Sequence, residues 1–344
     1  MKEEKHTCDI CHEERDLSEL TYFDESYLCE DCLRRETFIC RDCGDRHWND
    51  DSADGDLCQT CYDEDYVRCE RCDAVIHYDD ACYHEDEEYH DHPYCRDCFD
   101  MDEIIHDYYY KPEPIFYGDG PRYLGVELEL DDGGENEFCA SKLLEIANNG
   151  CERMYIKHDG SLDDGFECVT HPMTLDYHIN QMPWRAILNK AVAKGYLSHQ
   201  AGTCGLHVHI SRNALGVNYE EQEATIAKIL YFYEKFWNEI LTFSRRTESQ
   251  AEHWARRYGG GIINPKETLK HAKNSHMGRY AAVNLENEAT IEMRIFRGTL
   301  KYNTFIATLQ MVDEICKVAI SLSDEFMQGL TWLDFVKGIA DGKQ

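Results

Sequence analysis

The sequence predicts an α+β fold in which a mostly antiparallel sheet carries helices on one face and follows a set of small metal-stabilised units. Three observations support this prediction. Six Cys-x-x-Cys pairs fill the first hundred residues. Four later segments alternate apolar residues with charged ones, which is the pattern of a β-strand with two different faces. Two long segments repeat apolar residues at the spacing of an amphipathic helix.

Charge and cysteine content divide the chain into two parts of different character. The 344 residues carry a net charge of −32, and residues 1–110 hold 25 of these excess negative charges and 13 of the 18 cysteines. Prolines and glycines between Lys111 and Pro121 interrupt regular structure. We therefore predict a tandem cysteine module over residues 1–107, a linker over 108–121 and a second domain over 122–344.

Composition also excludes several kinds of partner. No apolar run approaches the roughly 18 residues of a membrane span, and the first residues lack the apolar core of a signal peptide. Affinity for phosphate backbones comes from clustered Lys and Arg, which this acidic chain lacks. We expect a soluble, cytoplasmic protein that binds neither membrane nor nucleic acid.

The cysteine pairs recur with alternating long and short spacers of 17, 7, 14, 7 and 22 residues. This alternation indicates a tandem repeat, and each repeat fits a four-cysteine zinc site with one knuckle on a hairpin and the other at a helix start. The twelve cysteines are Cys8, Cys11, Cys29, Cys32, Cys40, Cys43, Cys58, Cys61, Cys69, Cys72, Cys95 and Cys98.

We expect about three structural zinc ions, with each odd-numbered pair joined to the pair that follows it. Apolar content is low here, so the metal would be the main source of stability, on the order of 10–16 kcal/mol per site. A cross-braced pairing, as in RING and LIM modules, is an alternative, and so is a disulfide framework. Cys82, His84, His90 and His92 offer substitute ligands.

The zinc module is acidic and carries Tyr and Phe between its charges. This composition favours a surface that docks on a basic protein. The alternative is a cap that keeps the second domain soluble.

The alternating segments of the second domain place ionisable side chains on one face. These are Glu127 and Glu129 in 123–130, Glu167 in 165–172, His207 and His209 in 204–211, and Glu292 and Arg294 in 289–298. Carboxylates with histidine suit Mg²⁺ or Mn²⁺, and arginine suits phosphate oxygens. The pattern therefore predicts a metal–nucleotide site for phosphoryl transfer on the polar face of the sheet.

Helices are predicted to form the second layer, against the apolar face of this sheet. The expected helices cover residues 142–149, 184–194, 220–243 and 304–322.

Six motifs of the second domain occur in one order. They are Gly-Val-Glu-Leu-Glu at 125–129, Lys-His-Asp-Gly-Ser-Leu at 157–162, Gly-Phe-Glu at 165–167, Cys-Gly-Leu-His-Val-His-Ile at 204–210, Arg-Tyr-Ala-Ala-Val-Asn-Leu at 279–285 and Thr-Ile-Glu-Met-Arg at 290–294. Over about residues 122–320 this series resembles the carboxylate–amine ligases of glutamine synthetase-like fold, especially the amidoligase family of phages and bacteria. The cysteine units resemble treble-clef or zinc-ribbon modules.

The resemblance implies that ATP phosphorylates a carboxylate and that an amine then displaces phosphate to form an amide. The catalytic residues it implies are Glu127, Glu129, Glu167, His207, Glu292, Arg294 and Arg297. The implied magnesium ligands are Glu127, Glu129, Asp159, Glu167, His207 and Glu292. The implied ATP or substrate contacts are Arg279, Arg294, Arg297, Ser161 and Asn284.

The identity of the acid and of the amine stays open, and the zinc module is a natural place to select a protein or peptide target.

The segment 244–261 is either a basic lid over the site or a solvated loop. The five unpaired cysteines are expected to be buried thiols, although Cys204 could serve as a nucleophile or zinc ligand. A non-catalytic interaction protein is the rival function, and a metal-dependent hydrolase or nuclease is disfavoured by Arg294, Arg297 and the acidic surface.

Overall fold

The structure is a computed structural model, and it describes residues 5–83, 92–99, 103–259 and 264–341. The chain divides into two compact units, Met1–Asp102 and Glu103–Gln344.

The first unit consists of three successive repeats built from short antiparallel hairpins and single helices. Its strands are β1 (Lys5–Thr7), β2 (Glu14–Asp16), β3 (Leu20–Phe23), β4 (Ser26–Cys29), β5 (Thr37–Ile39), β6 (Arg46–Trp48), β7 (Ser52–Asp54), β8 (Leu57–Cys58), β9 (Tyr66–Arg68) and β10 (Val75–His77). Its α-helices are α1 (Glu30–Glu36), α2 (Gln59–Asp65) and α3 (Arg96–Phe99), and its short 3₁₀ turns are Leu17–Glu19, Asn49–Asp51 and Tyr78–Asp80. The strands pair consecutively, β1 with β2 through β9 with β10.

The repeats share the same local geometry at the first Cys-x-x-Cys pair of each. The residue after the second cysteine of the pair has a positive φ of 60–76° and is His12, Gly44 or Asp73. Its backbone N–H donates to the carbonyl of the first cysteine at 2.9–3.0 Å in all three repeats. This turn points both thiols of the pair to one side.

Apolar burial within each repeat is small. Besides cysteines, the buried apolar residues of the three small cores are Leu28 in the first, Leu57 in the second and Tyr94 in the third. One such side chain contributes only about 1.5–3 kcal/mol, far less than the entropy cost of ordering about 30 residues. The repeats therefore need another source of stability.

The second unit contains a seven-stranded sheet. Its strands are β11 (Ile105–His106), β12 (Leu124–Leu130), β13 (Met154–Lys157), β14 (Phe166–Thr170), β15 (Leu206–Ser211), β16 (Val283–Asn284) and β17 (Thr290–Met293). Their order is β11-β13-β14-β12-β15-β17-β16, and every neighbouring pair is antiparallel except β11 with β13. The sheet thus includes residues 105–106, which lie within the range assigned to the cysteine module from the sequence.

Helices cover the apolar face of this sheet, and the predicted α+β fold class is confirmed. The α-helices of the whole unit are α4 (Glu137–Ala147), α5 (Leu175–Asn180), α6 (Trp184–Ala193), α7 (Tyr219–Lys235), α8 (Trp237–Ser244), α9 (Glu248–Trp254), α10 (Pro265–Asn274), α11 (Tyr302–Ser321), α12 (Asp324–Gly329) and α13 (Trp332–Asp341). Two 3₁₀ turns, Arg212–Ala214 and Gly278–Tyr280, complete the unit. Within the described residues, no helix is both long and apolar enough to cross a membrane.

The segment predicted as one helix over 220–243 forms two, α7 and α8, which meet at Phe236. This residue leaves helical geometry, with φ −108° and ψ 33°. Its buried ring contacts the rings of Phe232 and Trp332. Apolar periodicity continues across the break because both helices face the same core, so the sequence pattern carries no sign of the bend.

The core lies between the sheet and the helices. The apolar residues of the central strand β12 (Leu124, Val126, Leu128 and Leu130) are at most 1% exposed. Their alternation with Glu127 and Glu129 leaves both glutamates on the opposite face. The same alternation in β15 places His207 and His209 on that face.

Candidate functional site

The cysteines of the first unit form three separate groups of four. The groups are Cys8, Cys11, Cys29 and Cys32; Cys40, Cys43, Cys58 and Cys61; and Cys69, Cys72, Cys95 and Cys98. Each first pair is thus joined to the pair that follows it, as predicted, and the cross-braced alternative is excluded. All eighteen cysteines are free thiols, which also excludes the disulfide framework.

Sulfur spacing in these groups fits zinc. The Sγ atoms of Cys11 and Cys29 are 3.9 Å apart, and those of Cys72 and Cys95 are 3.8 Å apart. A tetrahedral zinc with bonds of about 2.3 Å requires a sulfur–sulfur separation near 3.8 Å. A disulfide would bring two sulfurs to about 2.05 Å.

The first thiol of each repeat is prepared for ligation. Backbone N–H groups of Cys29 and Cys58 donate to the Sγ atoms of Cys8 and Cys40, both at 3.4 Å. Burial acts to raise the pKa of these two thiols, but the backbone donors outweigh it and lower both to about 6. The thiolate is the form that binds metal.

Two of the proposed substitute ligands of the third repeat, Cys82 and His92, are not part of its cluster among the described residues. Cys82 pairs with Tyr94 through two backbone hydrogen bonds of 2.9 Å, and its thiol accepts from Arg96 at 3.8 Å. The Nδ1 of His92 lies 3.9 Å from a carboxylate oxygen of Glu70. His84 and His90 lie outside the described residues.

An open cleft of about 850 Å³ lies on the polar face of the seven-stranded sheet. It is lined by nearly all of the residues predicted for the site. These are Glu127, Glu129, Asp159, Ser161, Glu167, His207, Arg279, Asn284, Glu292 and Arg294, together with His209. Arg297 is absent from the lining.

His207 stands at the centre of the carboxylates. Its Nδ1 lies 3.4 Å from Oε2 of Glu127 and 3.6 Å from Oε1 of Glu292. Its Nε2 lies 3.6 Å from Oε1 of Glu129. The neighbouring His209 places its Nε2 3.1 Å from Oε1, the other oxygen of the Glu127 carboxylate.

Two groups of side chains could each hold a metal ion, and they share His207. One comprises Glu127, His207 and Glu292, and the other comprises Glu129, Glu167 and His207, with donor atoms within 4.8 Å of one another. A neutral imidazole has one lone pair for a cation and one N–H to donate. His207 can therefore ligate a cation in one group while it hydrogen-bonds to a carboxylate of the other.

Protonation differs among the buried carboxylates. Burial and the charge of Glu127 raise the pKa of Glu167 well above its usual value, despite the nearby Lys157. Burial also acts on Glu127, but His209 and His207 outweigh it and hold the pKa of this carboxyl well below its usual value. Burial raises the pKa of Glu129 against the opposing effect of His207. This crowding of carboxylates favours a bound cation.

Two cations already contact this cluster. The Nζ of Lys157 lies 3.1 Å from Oε2 of Glu167. The guanidinium of Arg294 donates directly to Glu292, yet its buried Nε has no hydrogen-bond partner among the described residues. Lys157 and Glu167 lie only ten residues apart, in two successive motifs, and directly oppose each other on β13 and β14. The motifs alone did not indicate this pairing, so the sequence assigned Lys157 no role.

Arg246 is a cleft residue for which sequence reasoning predicted only a place in the basic lid segment. It is 6% exposed, and its Nε and Nη2 donate to the carbonyls of Ile295 and Phe296 at 3.1 and 3.4 Å. Its buried Nη1 has no hydrogen-bond partner in the described part of the chain. Burial lowers the pKa of Arg246 to about 10, so the group is still a cation at neutral pH.

The rest of the segment 244–261 is mostly engaged elsewhere. Arg257 donates to Glu234 at 3.0 and 3.1 Å, and Arg256 donates to the carbonyl of Glu252. Trp254 joins Arg246 in lining the cleft. Residues 260–263 lie outside the described residues.

Arg297 lies outside the cleft lining. Its carbonyl accepts from Nη2 of Arg245 at 2.7 Å, and burial together with the charge of Arg297 lowers the pKa of Arg245 to about 10. The pair therefore forms a separate positive region beside Arg246.

Ser161 and Asn284 contact carboxylates of the site. The backbone N–H and hydroxyl of Ser161 donate to Oδ1 of Asp159 at 2.7 and 2.5 Å. The amide of Asn284 donates to Oε2 of Glu292 at 2.8 Å. In this arrangement both side chains position candidate ligands.

An aromatic rim at the cleft belongs to residues that the sequence placed in the linker or left without a role. Tyr108 and Tyr280 accept from Arg279 at 2.8 and 3.3 Å, and Tyr109 is 87% exposed. The ring of Tyr108 also lies 5.5 Å from the Nζ of Lys157. The run of three tyrosines at 108–110 was the available signal.

The unpaired cysteines have no role in this cleft. Cys139, Cys168, Cys204 and Cys316 are buried and Cys151 is half-buried. Burial raises the pKa of Cys204 to about 12, so this thiol is protonated and unsuited to act as a nucleophile.

Comparison with known proteins found one family match. Residues 148–316 match a family model described as "Putative amidoligase enzyme". The matched range begins after β12, although the structure brings Glu127 and Glu129 of that strand into the same cleft. No curated protein matches the chain. An amidoligase description suggests an ATP-dependent ligase that forms amides. The resemblance inferred from the sequence is thus confirmed: over residues 148–316 the second unit matches the amidoligase family.

Proposed function

We propose that this protein is an ATP- and magnesium-dependent ligase that joins a carboxylate to an amine through an acyl phosphate. The observation that carries the proposal is the combination of clustered carboxylates around His207 with the unpartnered, buried Nη1 of Arg246 in one cleft. The carboxylates fit divalent cations, and the arginine fits an oxyanion. A ligase of this class needs both within one site.

The donor set supports Mg²⁺ or Mn²⁺. Oxygen ligands predominate, and the shared imidazole also suits manganese. The residues that would hold the cations are Glu127, Glu129, Glu167, His207 and Glu292, with Asp159 at the edge. A bound divalent cation supplies charge neutralisation for the phosphates and orients them.

In the proposed reaction, a carboxylate oxygen of the acid attacks the γ-phosphorus of ATP. The bond from that phosphorus to the bridging oxygen breaks, and ADP leaves with the bonding electrons. The amine nitrogen then attacks the carbonyl carbon of the acyl phosphate. The bond between this carbon and the phosphate oxygen breaks, phosphate leaves, and the amine gives up a proton.

The protein's own cations are suited to the anions of both steps. Two donors of Arg246 are held by backbone carbonyls, so its free Nη1 needs no reorientation to bind an oxyanion. Arg294 is held by Glu292 and keeps its Nε available. Lys157 balances Glu167. Arg297 would act through its positive charge beside Arg246, at the margin of the site.

The zinc module is proposed to select a protein or peptide target. Its acidic surface would attract a basic partner, and three structural zinc ions would hold its fold. A Cys40→Ser variant, which breaks the second cluster, should raise the KM of a protein acceptor. It should leave turnover of small acids unchanged.

The test of the ligase proposal measures ATP binding and acyl phosphate formation. Titration calorimetry with Mg·ATP is followed by ADP assays with acetate, succinate, aspartate or glutamate and hydroxylamine, which traps acyl phosphates as hydroxamates. Glu292→Gln should abolish hydroxamate formation, and the exposed, remote Glu239→Gln is the matched control. Absence of ATP binding would refute the proposal in favour of an interaction protein. Unchanged turnover by Glu292→Gln would contradict the metal assignment.

A further inference from the structure

A second cleft, of about 740 Å³, lies in the same unit beside the first. One wall comes from α7 and α10, and the other comes from residues 285–289. It contains none of the candidate metal ligands. Its partly apolar lining includes Phe116, Tyr219, Ile226 and Leu285, and the first two are 56% and 68% exposed.

The basic residues of this second cleft already have partners within the protein. Lys273 pairs directly with Glu223, and the Nη1 of Arg212 lies 3.9 Å from the same carboxylate. The other donors of Arg212 bond the carbonyls of Leu285 and Asn287 at 2.8 and 3.1 Å. These cations hold the wall of the cleft and are not free for a ligand.

Its remaining charged groups are carboxylates. Glu286 and Glu288 are exposed, and within the described ranges neither has a Lys, Arg or His within ion-pairing distance. Arg212 holds the carbonyls on both sides of Glu286, so the position of this residue is well defined. The cleft therefore offers free negative charge next to an apolar surface.

Glu286 also connects the two clefts, because it lines both of them. Its backbone N–H donates to Oδ1 of Asn284 at 2.9 Å, and the amide of Asn284 donates to Glu292 at 2.8 Å. Two hydrogen bonds thus link Glu286 to a candidate metal ligand. A ligand along the second cleft would reach the first cleft at Glu286.

We propose that the second cleft binds the amine substrate, and that this substrate is a primary amine on an extended aliphatic chain, such as a lysine side chain of a peptide. The inference rests on the proposed ligase function. Aromatic and aliphatic side chains contact the methylene groups, and Glu286 and Glu288 bind the ammonium group where the clefts meet. An acid or a phosphate would be repelled by the same carboxylates.

The test uses the full-length protein and two peptides, acetyl-Gly-Lys-Gly amide and the same peptide with an acetylated lysine side chain. Calorimetry should show binding of the first and at least tenfold weaker binding of the second. The double variant Glu286→Gln, Glu288→Gln should bind the lysine peptide at least tenfold more weakly than the wild type. Since the chain is strongly acidic, Glu239→Gln is the control for general electrostatic attraction and should leave affinity unchanged.

Titration with Mg·ATP in parallel separates the two proposals. Three results would overturn the assignment of the second cleft if the wild type still binds Mg·ATP. They are equal affinity for both peptides, no detectable binding of the lysine peptide, and wild-type affinity of the double variant for that peptide. If Mg·ATP does not bind the wild type, the ligase proposal itself fails. The control variant Glu239→Gln should bind Mg·ATP as the wild type does.

Discussion

Gly205 offers a direct test of the geometry around His207. It lies one residue before β15, and its backbone N–H donates to Oε2 of Glu129. A Cβ at this position would overlap Nε2 of His207 and come within 3.2 Å of Nη2 of Arg246. We predict that Gly205→Ala forces the imidazole out of the carboxylate cluster.

The expected magnitude follows from overpacking at a single site. Such crowding costs about 1–3 kcal/mol, which for a unit of this size lowers the melting temperature by roughly 2–12 °C. Since both candidate metal groups include His207, affinity for a divalent cation should fall at least tenfold. Gly125→Ala on the neighbouring strand is the control, because its Cβ would lie 3.5 Å from that of His209, an ordinary contact.

The assay is Mn²⁺ binding followed by electron paramagnetic resonance, together with thermal unfolding of each variant. We expect Gly125→Ala to bind Mn²⁺ as the wild type does. Wild-type affinity and melting temperature in Gly205→Ala would refute the assigned position of His207. A wild-type protein that binds no Mn²⁺ would refute the cation site itself.

Three further predictions concern stability. Elemental analysis should find about three zinc atoms per chain, one for each four-cysteine cluster, and a clearly lower content contradicts the cluster assignment. Burial lowers the pKa of His178 from 6.5 to about 4, so the unfolded chain binds a proton that the native state does not between these values. Stability should therefore fall by up to about 3 kcal/mol as pH decreases through this window. In urea unfolding, the free energy of unfolding of His178→Gln should vary less with pH within this window than that of the wild type. An unchanged slope would show that His178 is not the source of the pH dependence. Deletion of residues 1–147, which keeps the whole family match, should leave the remainder unfolded by circular dichroism because it removes β12 from the middle of the sheet. A native-like spectrum would contradict this role of β12.

Local patterns were sufficient to predict the zinc clusters and the faces of the main strands. Cys-x-x-Cys spacing defines each repeat because both halves of a cluster lie within about 30 residues of sequence. Alternation in β12 and β15 assigns sides to glutamates and histidines without knowledge of the partner strands. These are short-range properties, and each follows from backbone geometry alone.

The missing parts of the site depend on contacts between distant segments. Arg246 is held by the carbonyls of Ile295 and Phe296, which lie 49 and 50 residues further along the chain. Tyr108 lies at the cleft through its hydrogen bond with Arg279, 171 residues away. Composition marks both as ordinary residues of a loop or linker, so tertiary structure is needed to find them.

Strand register determines the chemistry of the cleft more directly than composition does. The directly opposed pairs are Glu129 with Glu167, Glu127 with His207 and His209 with Glu292. A slip of β15 by one residue would turn His207 and His209 toward the helices and bring Val208 to the polar face. Val126 and Val208 oppose each other and are fully buried, so such a slip would expose apolar surface and bury two imidazoles. The helix-side core therefore keeps the carboxylates within 3.4–3.6 Å of the His207 ring nitrogens, although it contributes no reactive group itself.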